Sequence, residues 1–447
     1  MELMKGWDRP LKHISHGKEI SEIILAALSA AEPAVAVRKA LRGEDDFFLR
    51  ETNQNQKLPF HLISIGKAAI PMAEAAIEAL PVGIMSGIVI TKALTKNMLP
   101  PERVQVYQAD HPVPGKASLL AGQALCRFVA KLEVDARCLI LISGGGSALV
   151  TMLKPGVSLD DLQKTTRLLL NCGATIAEIN CVRKHLDQIK GGGLARMLNN
   201  RKCLALILSD VMGDHLSAIA SGPLSADETT FSEALAVFRR YKVIEQVPQS
   251  ILSVFQKGES GGEEETLKPG DPILKNIRCK VIANNRTAVD AAEQRAKSLG
   301  WQTADIGLVL MGEARQMGKT LAERIKNEQP VKRPVCLVAG GETTVTIHGS
   351  GLGGRNLETA LGAVQELRGV RDAVLITLAT DGDDGNSGAA GAVVTGDTYG
   401  IGHHSGMEPE DYLSENNSRV YFEQQKSLLV TGPTGTNVND LAILIRG

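Results

Sequence analysis

Apolar, β-branched runs alternate with longer stretches of helical periodicity along most of the chain. FHLISIG (60–66) precedes KAAIPMAEAAIEAL (67–80), and GIVITK (87–92), RCLILIS (137–143) and KCLALILS (202–209) follow. RCKVIA (278–283) precedes NRTAVDAAEQRAKSLG (285–300), and PVCLVAG (334–340) and AVLITLAT (373–380) close the series. A strand covered on both faces reads as a nearly continuous apolar run, so this alternation predicts an α/β protein built on parallel sheet. No repeat of short period is present. The polar stretch KGESGGEEETLKPGDP (257–272) interrupts the pattern, which places an N-terminal domain at 1–256, a linker at 257–271 and a C-terminal domain at 272–447.

In open α/β sheets ligands bind beyond the carboxyl ends of the strands, so the residues that follow each apolar run are the first candidates for chemistry. HLISIG runs into Lys67, LILIS into Gly144, Gly145, Gly146 and Ser147, and LALILS into Asp210. CLVAG runs into Gly341, Glu342, Thr343 and Thr344, and VLITLAT into Asp381, Gly382, Asp383 and Asp384.

Composition narrows the ligand. Lys plus Arg is 49 against 50 Asp plus Glu, a net charge of −1, so no global field draws the chain to nucleic acid or anionic membrane. The aromatic residues, 8 Phe, 5 Tyr and 2 Trp, are too few for base-stacking platforms. Glycine is in surplus, 45 residues where usual frequencies predict about 31, which points to backbone that turns sharply or approaches closely. Seven cysteines, an odd number without a CxxC pair, read as a reduced, cytoplasmic protein. The opening MELMKGWDRPLKH has no apolar core and no run approaches 18 apolar residues, so neither a signal peptide nor a membrane span is expected.

Two glycine loops suit anions. Ser143 to Ser147 (SGGGS) follows a strand, so its backbone N–H groups and two hydroxyls can line an anion nest, or form only a tight strand-to-helix turn. Gly349 to Gly354 fits GxGxxG and opens a helix-like run; Arg355 at that start favours phosphate, whose oxygens a guanidinium forks, over a nicotinamide nucleotide. The stretch Gly312 to Thr320 has one residue too many for a Walker A loop, and the GxSxG match at 258–262 lies in the expected linker, outside any nucleophile elbow. The strand-end carboxylates Asp210, Asp214, Asp381 and Asp384 suit Mg2+ or the acceptance of a hydroxyl proton, while Asp383 reads as a turn-maker. The segment Thr431 to Asp440 offers donors without bulk, among them Thr434 and Asn437. His403 and His404 read as surface residues, since no His or Cys cluster has zinc spacing.

Eight segments in order, SIGKAA (64–69), HPVPG (111–115), LISGGGSAL (141–149), KHLDQIKGGGLA (184–195), SDVMGDHLSAIASGP (209–223), GGETTVTIHGSGLGGRN (340–356), ATDGDDGNSGAAGAVV (379–394) and TGPTGTNVNDL (431–441), resemble the glycerate 2-kinase (MOFRL, hydroxypyruvate reductase-like) family over nearly the whole chain. The resemblance implies two Rossmann-like α/β domains with an interdomain cleft, and ATP-dependent phosphorylation of D-glycerate at its 2-hydroxyl. It carries the functional lysine to Lys67 and the functional arginine to Arg355. The chain departs from the common family pattern at Leu352, Leu357, His215 and Gly388.

The expected site therefore has Lys67, Arg355 and Asp210 as catalytic residues. Ser143, Gly144, Gly145, Gly146, Ser147, Gly351, Gly353, Gly354, Glu342, Thr434 and Asn437 are expected to bind substrate and phosphate, and Asp214, Asp381 and Asp384 to contact metal. ATP and Mg2+ are the expected cofactors. D-glycerate and ATP are the expected partners, with no nucleic acid, no membrane, and allowance for a homodimer. The rival reading is an NAD(P)-dependent hydroxypyruvate reductase, which the GxGxxG supports but for which no hydride-transfer partner stands out.

Overall fold

The computed structural model describes residues 6–43, 60–80, 83–94, 102–304, 306–328 and 334–447. The chain divides into two compact units: residues 36–282, here the N-terminal unit, and residues 283–447 together with the first 35, here the C-terminal unit.

In the N-terminal unit the strands β1 (Phe60–Ile65), β2 (Ile84–Thr91), β3 (Val104–Gln108), β4 (Arg137–Ile142), β5 (Lys202–Leu208) and β6 (Ile277–Ala283) form one sheet in the order β3-β2-β1-β4-β5-β6. The pairs from β3 through β5 are all parallel, as the apolar runs predict. β1 is buried at every residue, and Ile63, Ile65, Ile88, Ile90, Ile140, Ile142 and Ile207 form a core with Leu125, Leu149 and Leu194 from the helices. A second apolar cluster around Phe231, Phe238 and Phe255 joins the helices of residues 159–259.

In the C-terminal unit β7 (Gln302–Thr303), β8 (Val335–Gly341), β9 (Ala373–Ala379), β10 (Gly391–Thr395), β11 (Leu428–Leu429) and β12 (Asp440–Arg446) take the order β11-β10-β9-β12-β8-β7. The α/β class holds, but this sheet is mixed. β12 inserts antiparallel to both β8 and β9, and β10 is antiparallel to β9, while β7 and β8 pair in parallel. Apolar runs of this length report burial on both faces and carry no record of strand direction.

The unit boundaries differ from the expected linker. The acidic stretch is packed into the N-terminal unit: Glu263 meets Lys154 at 2.8 Å, Glu264 meets Arg196 at 3.3 Å, Glu265 meets His185 at 3.0 Å, and Leu267 is fully buried. The chain then continues into β6 before crossing. The first 35 residues belong with the C-terminal unit because the helix Gly17–Ala30 buries Ile20, Ile23, Ile24, Ala27 and Leu28 and packs on the helix Asn285–Ser298, where Glu22 pairs with Arg295. Among the described residues no single helix is long and apolar enough to cross a membrane.

Candidate active site

The parallel strands of the N-terminal unit bring their carboxyl ends to one edge. Lys67 leaves β1, Lys92 leaves β2, His111 follows β3, Ser143 to Ser147 follow β4 and Asp210 follows β5. The chain progresses outward through β2 and β3 on one side of β1, and through β4 and β5 on the other. The turns after β1 and β4 thus flank the point where the winding reverses, the place where open α/β sheets bind ligands.

Those two turns interlock. Gly66 has φ +135°, and a Cβ there would lie 2.1 Å from the Ser143 hydroxyl oxygen. That oxygen accepts the Ala68 N–H at 3.0 Å, and the Lys67 N–H donates to the Gly144 carbonyl at 2.9 Å. The Ser143 hydroxyl, expected to bind phosphate, is buried inside the turn and sets the position of Lys67 instead. Ser147, the other hydroxyl of the loop, lies 2.6 Å from the Ser221 hydroxyl.

The glycine run makes room for side chains from three neighbouring strand ends. A Cβ on Gly144 would sit 2.1 Å from Asp210 Oδ2; on Gly145 it would sit 3.0 Å from the His111 ring and 3.2 Å from Lys67 Cγ; on Gly146 it would sit 2.9 Å from Ala220 Cβ. Among the described residues the N–H groups of Gly144 and Gly145 donate to no backbone acceptor. Lys67 is exposed. Burial raises the Asp210 pKa above the ordinary carboxylate value, opposed by its own backbone N–H and by the charge of Lys67. A cation, a half-buried carboxyl and a glycine loop thus meet at the switch point.

In the C-terminal unit Asp440 opens β12 opposite Gly341 at the end of β8 and Ala379 at the end of β9. Its carboxylate grips Arg355 in a bidentate fork, 2.5 Å from Nε and 3.0 Å from Nη2, while Glu342 takes Nη1 at 2.7 Å. Burial alone would lower the Arg355 pKa, but Asp440, Glu342 and Asp384 raise it above its ordinary value, so the guanidinium stays charged. Glu342 is exposed and also accepts the Asn439 amide at 2.9 Å; Asp440 is buried.

Four N–H groups of the GxGxxG loop are bonded within the protein. The Gly349 N–H goes to Asn416 Oδ1, that of Gly351 to the Glu415 carbonyl, that of Leu352 to Asn417 Oδ1 and that of Gly353 to Asn386 Oδ1. The helix Arg355–Val364 that follows is capped by Asp384, whose oxygens accept the N–H groups of Asn356 at 3.0 Å and Leu357 at 2.8 Å. A Cβ on Gly354 would lie 2.4 Å from the Asp384 carboxyl carbon. Gly351, Gly353 and Gly354 therefore allow close packing of the loop against Asn417, Ser418 and Asp384.

The expected metal ligands do not form a cage. Asp384 is spent on the helix and buried, with burial pushing its pKa up to about 6. Asp381 Oδ1 accepts the Asp383 N–H at 3.1 Å, an Asx turn in which Asp381 takes the turn-making role expected of Asp383. Asp214 sits at φ +53° in a turn of the other unit. Among the described residues no three His, Cys, Asp or Glu side chains converge as metal ligands. Thr434 donates to the Thr380 carbonyl at 2.5 Å, and Asn437 accepts the Asn439 N–H at 3.3 Å, so both shape the loop before β12. Asp440 and Asn439 lie in the segment TGPTGTNVNDL but were not among the expected site residues; the signal for Asp440 was an acidic residue at the mouth of the last apolar strand.

Fold and site together define a two-unit α/β protein that gathers cations, carboxyls and glycine turns at its strand ends. The DUF4147 domain of unknown function matches residues 19–256 and the MOFRL family matches residues 335–440. The glycerate 2-kinase of Pyrococcus horikoshii is 40% identical over 425 residues, covering 94% of each chain, and the D-glycerate 2-kinase of Thermotoga maritima is 38% identical over 428 residues, covering 94% of this chain and 96% of that one. The crystal structure of a glycerate kinase from Thermotoga maritima superposes with a TM-score of 0.85 at 37% identity, over 96% of this chain and 99% of that one. The chain belongs to the glycerate kinase family.

Proposed function

We propose that this protein is an ATP-dependent glycerate 2-kinase, converting D-glycerate and ATP to 2-phosphoglycerate and ADP. The observation that carries the reading is the meeting of Lys67 and Asp210 over the glycine turn at the switch point, in a chain whose glycerate 2-kinase relatives match it almost end to end. Phosphoryl transfer asks mainly for positioning and charge neutralisation, which a lysine, backbone N–H groups and an arginine supply. The 2-hydroxyl oxygen attacks the γ-phosphorus as the bond to the bridging oxygen of ADP breaks, and Asp210 takes the hydroxyl proton. Lys67 and the N–H groups of Gly144 and Gly145 stabilise the transferring charge. Arg355 is the seat for an anionic group of the substrates: Asp440 orients it, and the exposed Glu342 carboxylate on Nη1 is the partner that such a group displaces.

Mg2+ would arrive with the nucleotide phosphates, which leave it in need of few protein ligands. The reading further includes a cytoplasmic protein acting on free small molecules, and a homodimer that light scattering checks. The nicotinamide alternative loses its main support, since a pyrophosphate on the fingerprint helix would have to occupy the place of Asp384.

Phosphorus NMR of the products from ATP, Mg2+ and D-glycerate is the test. A 2-phosphoglycerate resonance is expected; 3-phosphoglycerate alone would overturn the regiochemistry, and NADH oxidation by hydroxypyruvate without ADP formation would overturn the reaction class.

A further inference from the structure

His111 opens the segment HPVPG, and among the described residues the fold gives its side chain no hydrogen-bond partner. It lies beyond the end of β3, and the neighbouring Asp110 is spent on the helix Lys116–Ala130, accepting the Ala117 N–H at 2.9 Å. The imidazole instead reaches the turn after β4: a Cβ on Gly145 would lie 3.0 Å from its Cδ2, 3.1 Å from its Nε2 and 3.2 Å from Lys67 Cγ. The ring therefore shares the surface of the glycine turn with the Lys67 side chain. Its Nδ1 is buried and has no hydrogen-bond partner among the described residues. Leaving a buried polar nitrogen unpaired costs about 1–3 kcal/mol, so packing alone does not account for a histidine here, and it is the Cδ2–Nε2 edge that meets the turn.

We propose that His111 is a further substrate-contacting residue of this site, hydrogen-bonding the anionic ligand held at Lys67. The proposal rests on the kinase reading for the identity of that ligand, a phosphate group of the nucleotide or the carboxylate of the hydroxy acid. The surrounding charges explain why histidine suits the position. Lys67 leaving β1 and Lys92 leaving β2 both act on the ring, Asp210 leaving β5 covers the adjoining Gly144, and Asp110 is engaged elsewhere. Burial first, then Lys67 and Lys92, lower the His111 pKa to about 4, so the free protein presents a neutral imidazole with one donor and one acceptor. A third fixed cation would repel its two lysine neighbours before the ligand arrived. A ligand with negative charge reverses the local field, and the imidazole then gains affinity for a proton.

Two measurements test this on the full chain. Histidine ring NMR, with His111 assigned by difference from His111→Gln, follows its titration without ligand, with the non-hydrolysable analogue AMP-PNP, and with D-glycerate alone. One of the two ligands should raise the His111 pKa by one or more, and the ligand that does so identifies the group contacted. An unchanged titration with both ligands overturns the proposal, and this readout needs no turnover. In kinetics, His111→Gln should fold with wild-type melting temperature and lose about 10- to 100-fold in kcat/KM. Wild-type kcat/KM in that variant also overturns the proposal. If the wild-type chain forms no 2-phosphoglycerate, the kinase reading fails while the NMR arm still decides whether His111 meets an anion. His111→Asn supplies the fold control should the glutamine variant fail to express.

Discussion

At the scale of single residues the two candidate cations, one in each unit, do different work. Lys67 is exposed and among the described residues its ammonium is in no ion pair, whereas Arg355 is tied to the buried Asp440. Lys67→Ala is expected to lower kcat/KM by two or more orders of magnitude with an unchanged melting temperature. Arg355→Ala should lose as much activity and also about 2–3 kcal/mol of stability, because the buried Asp440 is left unpaired; the figure is short of a fully buried pair, since the guanidinium is about one-third exposed. Urea unfolding beside steady-state kinetics separates the two behaviours, and equal stability in both variants would mean that the Arg355–Asp440 pair holds nothing together. Asp210 makes a prediction about pH. As a base it works only when deprotonated, and burial has raised its pKa, so kcat/KM should rise with pH through a limb lying above the ordinary carboxylate range. Asp210→Asn should abolish that limb together with most of the activity; a variant keeping both the limb and the rate would assign proton transfer elsewhere.

At the scale of elements the two glycine loops, alike in sequence, diverge. Among the described residues the turn after β4 leaves the Gly144 and Gly145 N–H groups without backbone acceptors, whereas the loop before the helix Arg355–Val364 commits the N–H groups of Gly349, Gly351, Leu352 and Gly353 to Asn416, Glu415, Asn417 and Asn386. Both fit the expectation for an anion cradle, because glycine spacing reports close approach and leaves open whether the approaching atom belongs to a ligand or to the protein. The Asp384 cap shows this most clearly. Its folded pKa, about 6, lies above the ordinary value near 3.9, so the folded state binds its proton more tightly than the unfolded chain does. The stabilisation is fully present below the unfolded value and is lost as pH rises through about 6. Relative to Asp384→Asn, the wild-type protein should therefore lose unfolding free energy between pH 4 and pH 6, by up to about 1.4 kcal/mol for each tenfold difference in proton affinity between the folded and unfolded states. Denaturant melts at four pH values in that window measure it; parallel profiles would show that Asp384 does not titrate there.

At the scale of the whole molecule the unexpected feature is that the C-terminal unit is completed by the first residues of the chain. The helix Gly17–Ala30 supplies apolar side chains that the helix Asn285–Ser298 cannot cover alone, and the Thr436 hydroxyl donates to the Ala31 carbonyl. Deletion of residues 1–35 should destabilise the C-terminal unit selectively. Hydrogen exchange is expected to rise in β7, β8 and the helix Asn285–Ser298 while β1 to β5 keep their protection. Uniform protection after the deletion would make the opening helix an accessory. The sequence supports a boundary near 257–271 because that stretch is polar and rich in glycine and glutamate, which is also the composition of a surface segment held by ion pairs. Lys154, Arg196 and His185, which bind it, lie more than sixty residues earlier in the chain.

Some properties of this protein are local and therefore legible in one dimension. The doubly covered strands of the N-terminal unit, Lys67 and Asp210 at strand ends, and the ordered motifs of the family each depend on a few consecutive residues. Strand direction in the C-terminal unit, the Asp440 fork on Arg355, the capping by Asp384 in place of metal binding, and the approach of His111 to Gly145 depend on residues tens of positions apart. Hydrogen bonds and charge pairs act over a few ångströms of space whatever the separation along the chain, so only the folded arrangement decided which of the polar groups at the strand ends face a ligand and which face one another.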